Sequence, residues 1–203
     1  MHPKYLLYGI VALLCSPLLL FYWLAFPLIG REKSFQMFSQ LFSLFPGLPG
    51  NYFRAVFYRF ALPQSHLEVA ICFGTLFSQP DTSIGHRVYI GPQCNIGLCH
   101  IDKDTLLGSG VHILSGTGQH NFNDVDAPIQ DQGGTLEKIT IGADSWIGNN
   151  ATVMASVGNK CIVGAGSVVT RPVPDFSIVA GNPARVVKQR TGNSEGLDLP
   201  SAK

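Results

Sequence analysis

Apolar and polar positions change their spacing twice along this chain, and each change marks a different kind of element. From Tyr5 to Gly30 there is no charged side chain. At about 1.5 Å per residue, a helix over that run reaches across a hydrocarbon core roughly 30 Å thick. Pro17 and Pro27 fall inside it, and proline favours a kink, so a straight span and a re-entrant hairpin are both open. The run is too long for the apolar core of a cleaved signal peptide and no small-x-small site follows it, which predicts a retained membrane anchor over residues 1–33. Over residues 34–66 the period becomes helical. Phe35, Phe38, Leu41, Phe42 and Phe45 form one stripe, with Gln36, Ser39, Gln40 and Ser43 on the other side. After Pro46-Gly47 and Pro49-Gly50 a second stripe of Phe53, Val56, Phe57 and Phe60 accompanies Arg54 and Arg59. The expectation is a pair of amphipathic interfacial helices whose arginines meet anionic headgroups. The alternative is that both stripes pack on the domain that follows or on neighbouring subunits.

From residue 67 the spacing becomes six. Ile84-Gly85, Ile90-Gly91 and Ile96-Gly97 are in register; Ile101, Leu107 and Ile113 continue after a one-residue slip. Ile141-Gly142, Ile147-Gly148 and Val153 resume it, and Val157-Gly158, Val163-Gly164 and Val169 follow a two-residue shortening. A helical period of about 3.6 and a strand period of two both fail here. In a triangular coil each side is a short strand with a tight corner, so one aliphatic per hexad points inward and stacks on its equivalents in neighbouring turns. Glycine beside it relieves crowding at the corner. Residues 116–138 interrupt the repeat with Gly, Asn, Asp, Pro and Gln, and a long loop leaving a regular coil is a place to look for function. The stretch 189–203 is polar and reads as a solvated tail.

Charge narrows the partners. A net charge of +1 with 13% charged residues leaves no electrostatic footprint for nucleic acid. The five cysteines, Cys15, Cys72, Cys94, Cys99 and Cys161, fit no paired framework or Cys-x-x-Cys site and read as small buried apolar residues in a reducing compartment. Arg31, Lys33, Arg54 and Arg59 after the apolar run outnumber Lys4 before it, which puts the following domain on the cytoplasmic side of an inner membrane.

The most diagnostic stretches are Ile113-Leu114-Ser115-Gly116 with Gln119-His120-Asn121-Phe122, then Gln132-Gly133-Gly134, then Ile141-Gly142-Ala143-Asp144-Ser145-Trp146-Ile147-Gly148. Gly164-Ala165-Gly166-Ser167-Val168-Val169-Thr170 through Ala180-Gly181-Asn182-Pro183-Ala184-Arg185 completes the set. Over residues 67–188 the chain resembles the hexapeptide-repeat acyltransferases, above all the sugar and polysaccharide O-acetyltransferases. The resemblance implies a mainly β fold, a left-handed parallel β-helix of hexapeptide repeats preceded here by membrane-associated helices. It also implies a homotrimer with acyl-CoA, most simply acetyl-CoA, in a groove between two subunits and the acceptor hydroxyl entering from the other side. It carries the catalytic histidine onto His120. Imidazole, with an ordinary pKa near about 6.5, suits the removal of a hydroxyl proton at neutrality.

For the donor, the resemblance places Trp146 beside the pantetheine channel, Asn149 and Ala165 as sources of backbone groups, Thr170 with Arg171 farther along, and Arg185 and Lys188 at the phosphates. Physically, an extended strand edge pairs with the pantetheine amides and cations hold phosphates. His86, His100 and His112 occupy ordinary repeat positions. A zinc site of the gamma carbonic anhydrase kind brings two ligands five residues apart, whereas His112 and His120 are eight apart, so no metal is expected. The expected function is transfer of an acyl group to a sugar hydroxyl, with a lipid-linked glycan or exopolysaccharide intermediate as acceptor because the anchor holds the enzyme at the membrane. An amino sugar or small-molecule acceptor, and a non-enzymatic β-helix subunit of an assembly, are the competing readings.

Overall fold

The structure is a computed structural model that describes residues 3–190. The expected tail therefore lies, from residue 191 onward, outside the described residues. The apolar run forms one continuous helix, α1 (Pro3–Ile29), with both prolines inside it. Pro17 has no N–H to offer the Leu13 carbonyl one turn back, and the Ser16 hydroxyl donates to that carbonyl instead, at 2.7 Å. The re-entrant hairpin left open by Pro17 is thus not what forms. Gly30, with φ 84°, reverses the chain into α2 (Arg31–Ser43), and α3 (Gly47–Ala61) follows.

The Phe-rich stripes face inward, which corrects the interfacial expectation for residues 34–66. Phe35, Phe38, Phe42, Val56 and Phe57 are buried against one another, against α1 and against the start of the β domain. Ser39, expected on the polar side, is buried too. Its Oγ lies 2.8 Å from the Tyr58 hydroxyl and accepts from the Phe77 N–H at 2.8 Å, joining three elements. Arg54 does not meet a headgroup: it is 0% exposed. Its guanidinium donates to the carbonyls of Ile71 (2.5 Å), Phe42 (3.1 Å) and Phe45 (2.7 Å) and to Asn51 Oδ1 (2.9 Å). Burial holds its pKa below the usual arginine value, and the ring of oxygens supplies what water no longer does.

α1 packs on this layer through Tyr8, Val11, Cys15, Tyr22 and Ala25. Tyr8 meets Tyr52 edge-on, and Tyr22 meets Phe38 and Phe57 in the same way. Both ends of the helix are tied to the β domain: Lys4 Nζ lies 3.3 Å from Glu68, and Arg31 pairs with Asp81 at 2.9 Å. Hydrogen bonds from His86 and Lys4 hold the Glu68 carboxyl below its ordinary pKa.

The β domain is a parallel coil. Its first turn carries β1 (Ala70–Ile71), β2 (Leu76–Phe77) and β3 (Ser83–Ile84), and its second β4 (Tyr89–Ile90), β5 (Asn95–Ile96) and β6 (Cys99–Ile101). The third has β7 (Leu106–Leu107), β8 (His112–Ile113) and β9 (Ile139–Ile141). The fourth has β10 (Trp146–Ile147) and β11 (Thr152–Val153), and the fifth β12 (Ile162–Val163) and β13 (Val168–Val169). A hairpin of β14 (Ser177–Gly181) and β15 (Ala184–Gln189) closes the end. Three faces result: β1-β4-β7-β10-β12-β14-β15, then β2-β5-β8-β11-β13, then β3-β6-β9, which single bridges at Val157 and Val173 extend.

The inward residues are those of the hexad pattern, with Ile71, Ile90, Leu107, Ile147, Val163 and Val179 stacked on the first face alone. Two residues before most of these aliphatics stands a second buried position, filled mainly by small side chains that include Cys94, Cys99 and Cys161. Burial pushes the first two thiols up to about 11 and about 12 and raises the third. Cys15 is buried as well, while Cys72 is half-buried, and all five are unpaired. Where a glycine follows the aliphatic, as at Gly142 and Gly148, it allows the close approach of neighbouring turns. A Cβ on Gly148 would sit 2.5 Å from the Ala165 backbone nitrogen, and one on Gly142 2.5 Å from the Gly158 carbonyl carbon. The left-handed corner conformation falls elsewhere, at Asp104, Gly110, Asp144, Asn150 and Gly166 among others. The breaks in period all fall at one corner, between the second and third faces. The step there is seven residues in the first turn, five in the second, 28 in the third and four in the last two, against six at the other corners.

Candidate functional site

The 28-residue step is an arm, residues 114–138, between β8 and β9. It folds back on itself. Glu137 N–H donates to Ser115 O (2.9 Å), Thr135 N–H to Gly118 O (2.8 Å) and Asn121 N–H to Gly133 O (2.9 Å). At the tip the Gln132 amide donates to the carbonyls of Asp124 and Ala127 and accepts from the Asp124 N–H. Gly134 presses on the opposite limb: a Cβ there would meet the Gln119 carbonyl oxygen at 2.0 Å and the His120 Cα at 2.9 Å. Gln132-Gly133-Gly134, singled out in the sequence, is therefore the piece that fixes Gln119-His120. The base of the arm is held by Lys138, whose ammonium donates to Asp81 O (2.7 Å) and Ser83 Oγ (2.9 Å).

Where the arm leaves the coil, a cleft of about 170 Å³ opens, lined by Ser78, Asn95, Gly97, His112, Leu114 and Gln119, among others. His112 projects from the second face, between Asn95 and Thr152 in adjacent strands. His120 is exposed on the arm one residue beyond Gln119. Among the described residues no side chain hydrogen-bonds its ring. His86 is occupied by Glu68 at 2.7 Å and sits at a corner, while His100 is on the third face between Ser83 and Thr140. The repeat histidines thus do not converge within one chain, and among the described residues no three His, Cys, Asp or Glu side chains come together as a metal site.

Residues 138–171 match the family described as the hexapeptide repeat of succinyl-transferase. That stretch carries the hexapeptide repeat. The chain is 41% identical over 73 residues to a probable acetyltransferase of Mycobacterium tuberculosis, covering 35% of this chain and 24% of that one. It is 32% identical over 123 residues to a putative lipopolysaccharide biosynthesis O-acetyl transferase of Escherichia coli, covering 57% of this chain and 61% of that one. The chain thus covers less than two thirds of the length of either relative. Among solved structures, a galactoside acetyltransferase in complex with coenzyme A superposes with a TM-score of 0.67 at 17% identity, over 85% of this chain and 87% of that one. The likeness gives the coil its hand: this is a left-handed parallel β-helix.

On this hexapeptide-repeat coil the expected donor residues fall on separate surfaces. Trp146 points out from the first face, in a row with Leu106 and Tyr89 on one side and Ile162, Ile178 and Lys188 on the other. At about 4.8 Å per strand, Trp146 and Lys188 stand roughly 14 Å apart. Arg185 is exposed on β15, its guanidinium donating to the neighbouring Ala184 carbonyl. Asn149 and Ala165 stack at the corner between the first and second faces. The Asn149 carbonyl is taken by the Gly166 N–H at 2.8 Å and its Oδ1 by the Ser109 N–H at 3.1 Å, so it is Ala165, exposed, that keeps its backbone groups available. Thr170 and Arg171 lie at the next corner, between the second and third faces. Sequence reading missed Ser78, Asn95 and Gln119 as cleft walls. Asn95 and His112 were readable as consecutive outward positions of one face, but Ser78 became a neighbour only through the seven-residue step.

Proposed function

We propose that this chain is an acetyltransferase that moves an acetyl group from acetyl-CoA to a hydroxyl of a sugar. The observation that carries the reading is the braced arm, which holds His120 beside a polar cleft at the edge of a coil of the kind used by acetyltransferases. His120 takes the acceptor proton as the hydroxyl oxygen attacks the thioester carbonyl; the C–S bond breaks and the proton passes to the departing CoA sulfur. No acyl-enzyme is needed. Asn95, His112 and Gln119 line the acceptor side. Trp146, Ala165, Thr170 and Arg171 flank the donor, and Arg185 and Lys188 meet its phosphates. Because these groups occupy different faces of one prism, the groove is completed by another copy in a homotrimer. The apolar row of Tyr89, Leu106 and Trp146, exposed by 41%, 48% and 51%, supports such an interface.

The reading extends to place. α1 meets the length and composition of a membrane segment, and acyl-CoA is made in the cytoplasm, which favours that side of an inner membrane. The acceptor is then a lipid-linked glycan or exopolysaccharide intermediate at that surface. The test is release of free CoA thiol from acetyl-CoA with sugar and membrane glycolipid acceptors, in the intact chain and in His120→Ala. Acceptor-dependent release that falls by about 10²–10⁴-fold in the variant is expected, with acetyl-CoA affinity nearly unchanged. Full turnover in His120→Ala removes it from the mechanism and makes His112 the next base to test.

A further inference from the structure

α1 has the length to cross a bilayer, but its attachments do not suit a crossing. Its first turn is tied to Glu68 through Lys4, and Arg31, which opens α2 two residues beyond its end, is tied to Asp81; both carboxylates belong to the first turn of the coil. Between the ties, one side of the helix is packed on α2 and α3 throughout, from Tyr8 to Ala25. Were α1 to stand across the membrane, these two ties would lie at opposite surfaces. The charged groups around these ties, Glu68 with His86 and Arg87 at one end and Asp81 with Lys138 at the other, would be drawn through hydrocarbon.

The side of α1 turned away from the protein has a different character. Leu6, Ile10, Leu13, Leu20, Leu24 and Leu28 are exposed at helical spacing, Leu13 by 75% and Leu28 by 82%. The row runs roughly 33 Å. It carries no charge, and two cations near the layer, Lys33 and Arg59, have no carboxylate partner among the described residues. A second protein surface offers such a row patchy apolar and polar contact, whereas one leaflet offers unbroken hydrocarbon below anionic headgroups that suit the two cations.

We propose that α1 lies flat in a single leaflet with this row immersed, so that the protein is held on one face of the membrane and does not cross it. The proposal rests on the membrane reading above and adds to it a geometry that matters for the substrate. Ser78, a wall of the His112 cleft, has its carbonyl bonded to the Gln36 amide of α2 at 3.0 Å. The cleft therefore begins next to the helical layer that packs beneath α1. A glycan whose lipid stays in the same leaflet needs no extraction to reach the cleft.

The test is depth. In the full chain carrying Trp23→Phe and Trp146→Phe, Leu13→Trp or Leu24→Trp supplies a single tryptophan, quenched by lipids brominated near the headgroup or near the chain end. The vesicles are phosphatidylethanolamine and phosphatidylglycerol. Unchanged thermal unfolding certifies each variant. A flat helix gives equal quenching at the two positions, stronger from the shallow bromines. Deep quenching at Leu13 with shallow quenching at Leu24 means a crossing helix and overturns the proposal while sparing the membrane reading. Failure of the intact chain to float with vesicles removes the membrane reading itself, and larger self-assemblies in that fraction would assign the row to a second copy.

Discussion

Gly134 shows how much a missing side chain can decide. A methyl group there would collide with the backbone of Gln119 and His120, not with a flexible side chain, so one limb of the arm must move. Gly134→Ala is expected to lower kcat at least tenfold with little change in Tm, because the arm stands outside the stacked column; steady-state kinetics beside a thermal melt check this. The sequence announced His120 and the Gln132-Gly133-Gly134 stretch as separate features. Their contact was not legible, since it depends on which residues pair across a limb of irregular length. The hexad glycines were legible at the right positions but for an incomplete reason. What they supply is room for the neighbouring turn at Ala165 or Gly158, while positive φ is borne by residues such as Asp144 and Asn150.

Among the elements, the helical layer is where pattern and outcome part. Periodicity identified both Phe-rich helices and which side of each is apolar. It says nothing about what covers an apolar side, and here the cover is α1 and the first coil. Arg54 misled for the same reason: an arginine beside aromatic residues suits a headgroup in sequence, yet its donors are consumed by three carbonyls and Asn51. Arg54→Ala is expected to cost roughly 3 kcal/mol or more, since buried acceptors lose their donor. Arg54→Lys should recover only part of it, as an ammonium lacks the planar fork; urea unfolding midpoints measure both. The β14–β15 hairpin makes a different claim. Arg185→Ala and Lys188→Ala should raise the KM for acetyl-CoA well above any change in kcat, because phosphate contacts far from the thioester act alike before and during reaction. Added salt should imitate both, and unchanged donor affinity would place the phosphates elsewhere.

At the scale of the molecule, period six was sufficient for the coil, and its inward column is the one the spacing names. The donor site was less legible. Sequence order places Trp146, Asn149, Ala165 and Thr170 close together, but successive hexads turn a corner, so residues a few positions apart look out from different faces. Under the proposed trimer, a neighbouring prism is what would bring them to one ligand. Leu106→Glu, at the centre of the exposed row on the first face, is accordingly expected to give monomers by sedimentation and to lose acetyl transfer together with assembly, with the melting of the coil itself little altered. A trimer that survives the charge moves the interface to another face.

The uneven corner between the second and third faces has a consequence of its own. Since the inward residue after it regains its place whether the chain takes four, five, seven or 28 residues to get there, length at that edge is uncoupled from the integrity of the column. The prism behaves as a rack with open sockets along one edge, and Met154-Ala155-Ser156 in the fourth turn is a socket of the same kind as the one that carries the arm. A peptide grafted there would ride on the scaffold as cargo, so inserts at that edge can be exchanged while the hexads stay as they are.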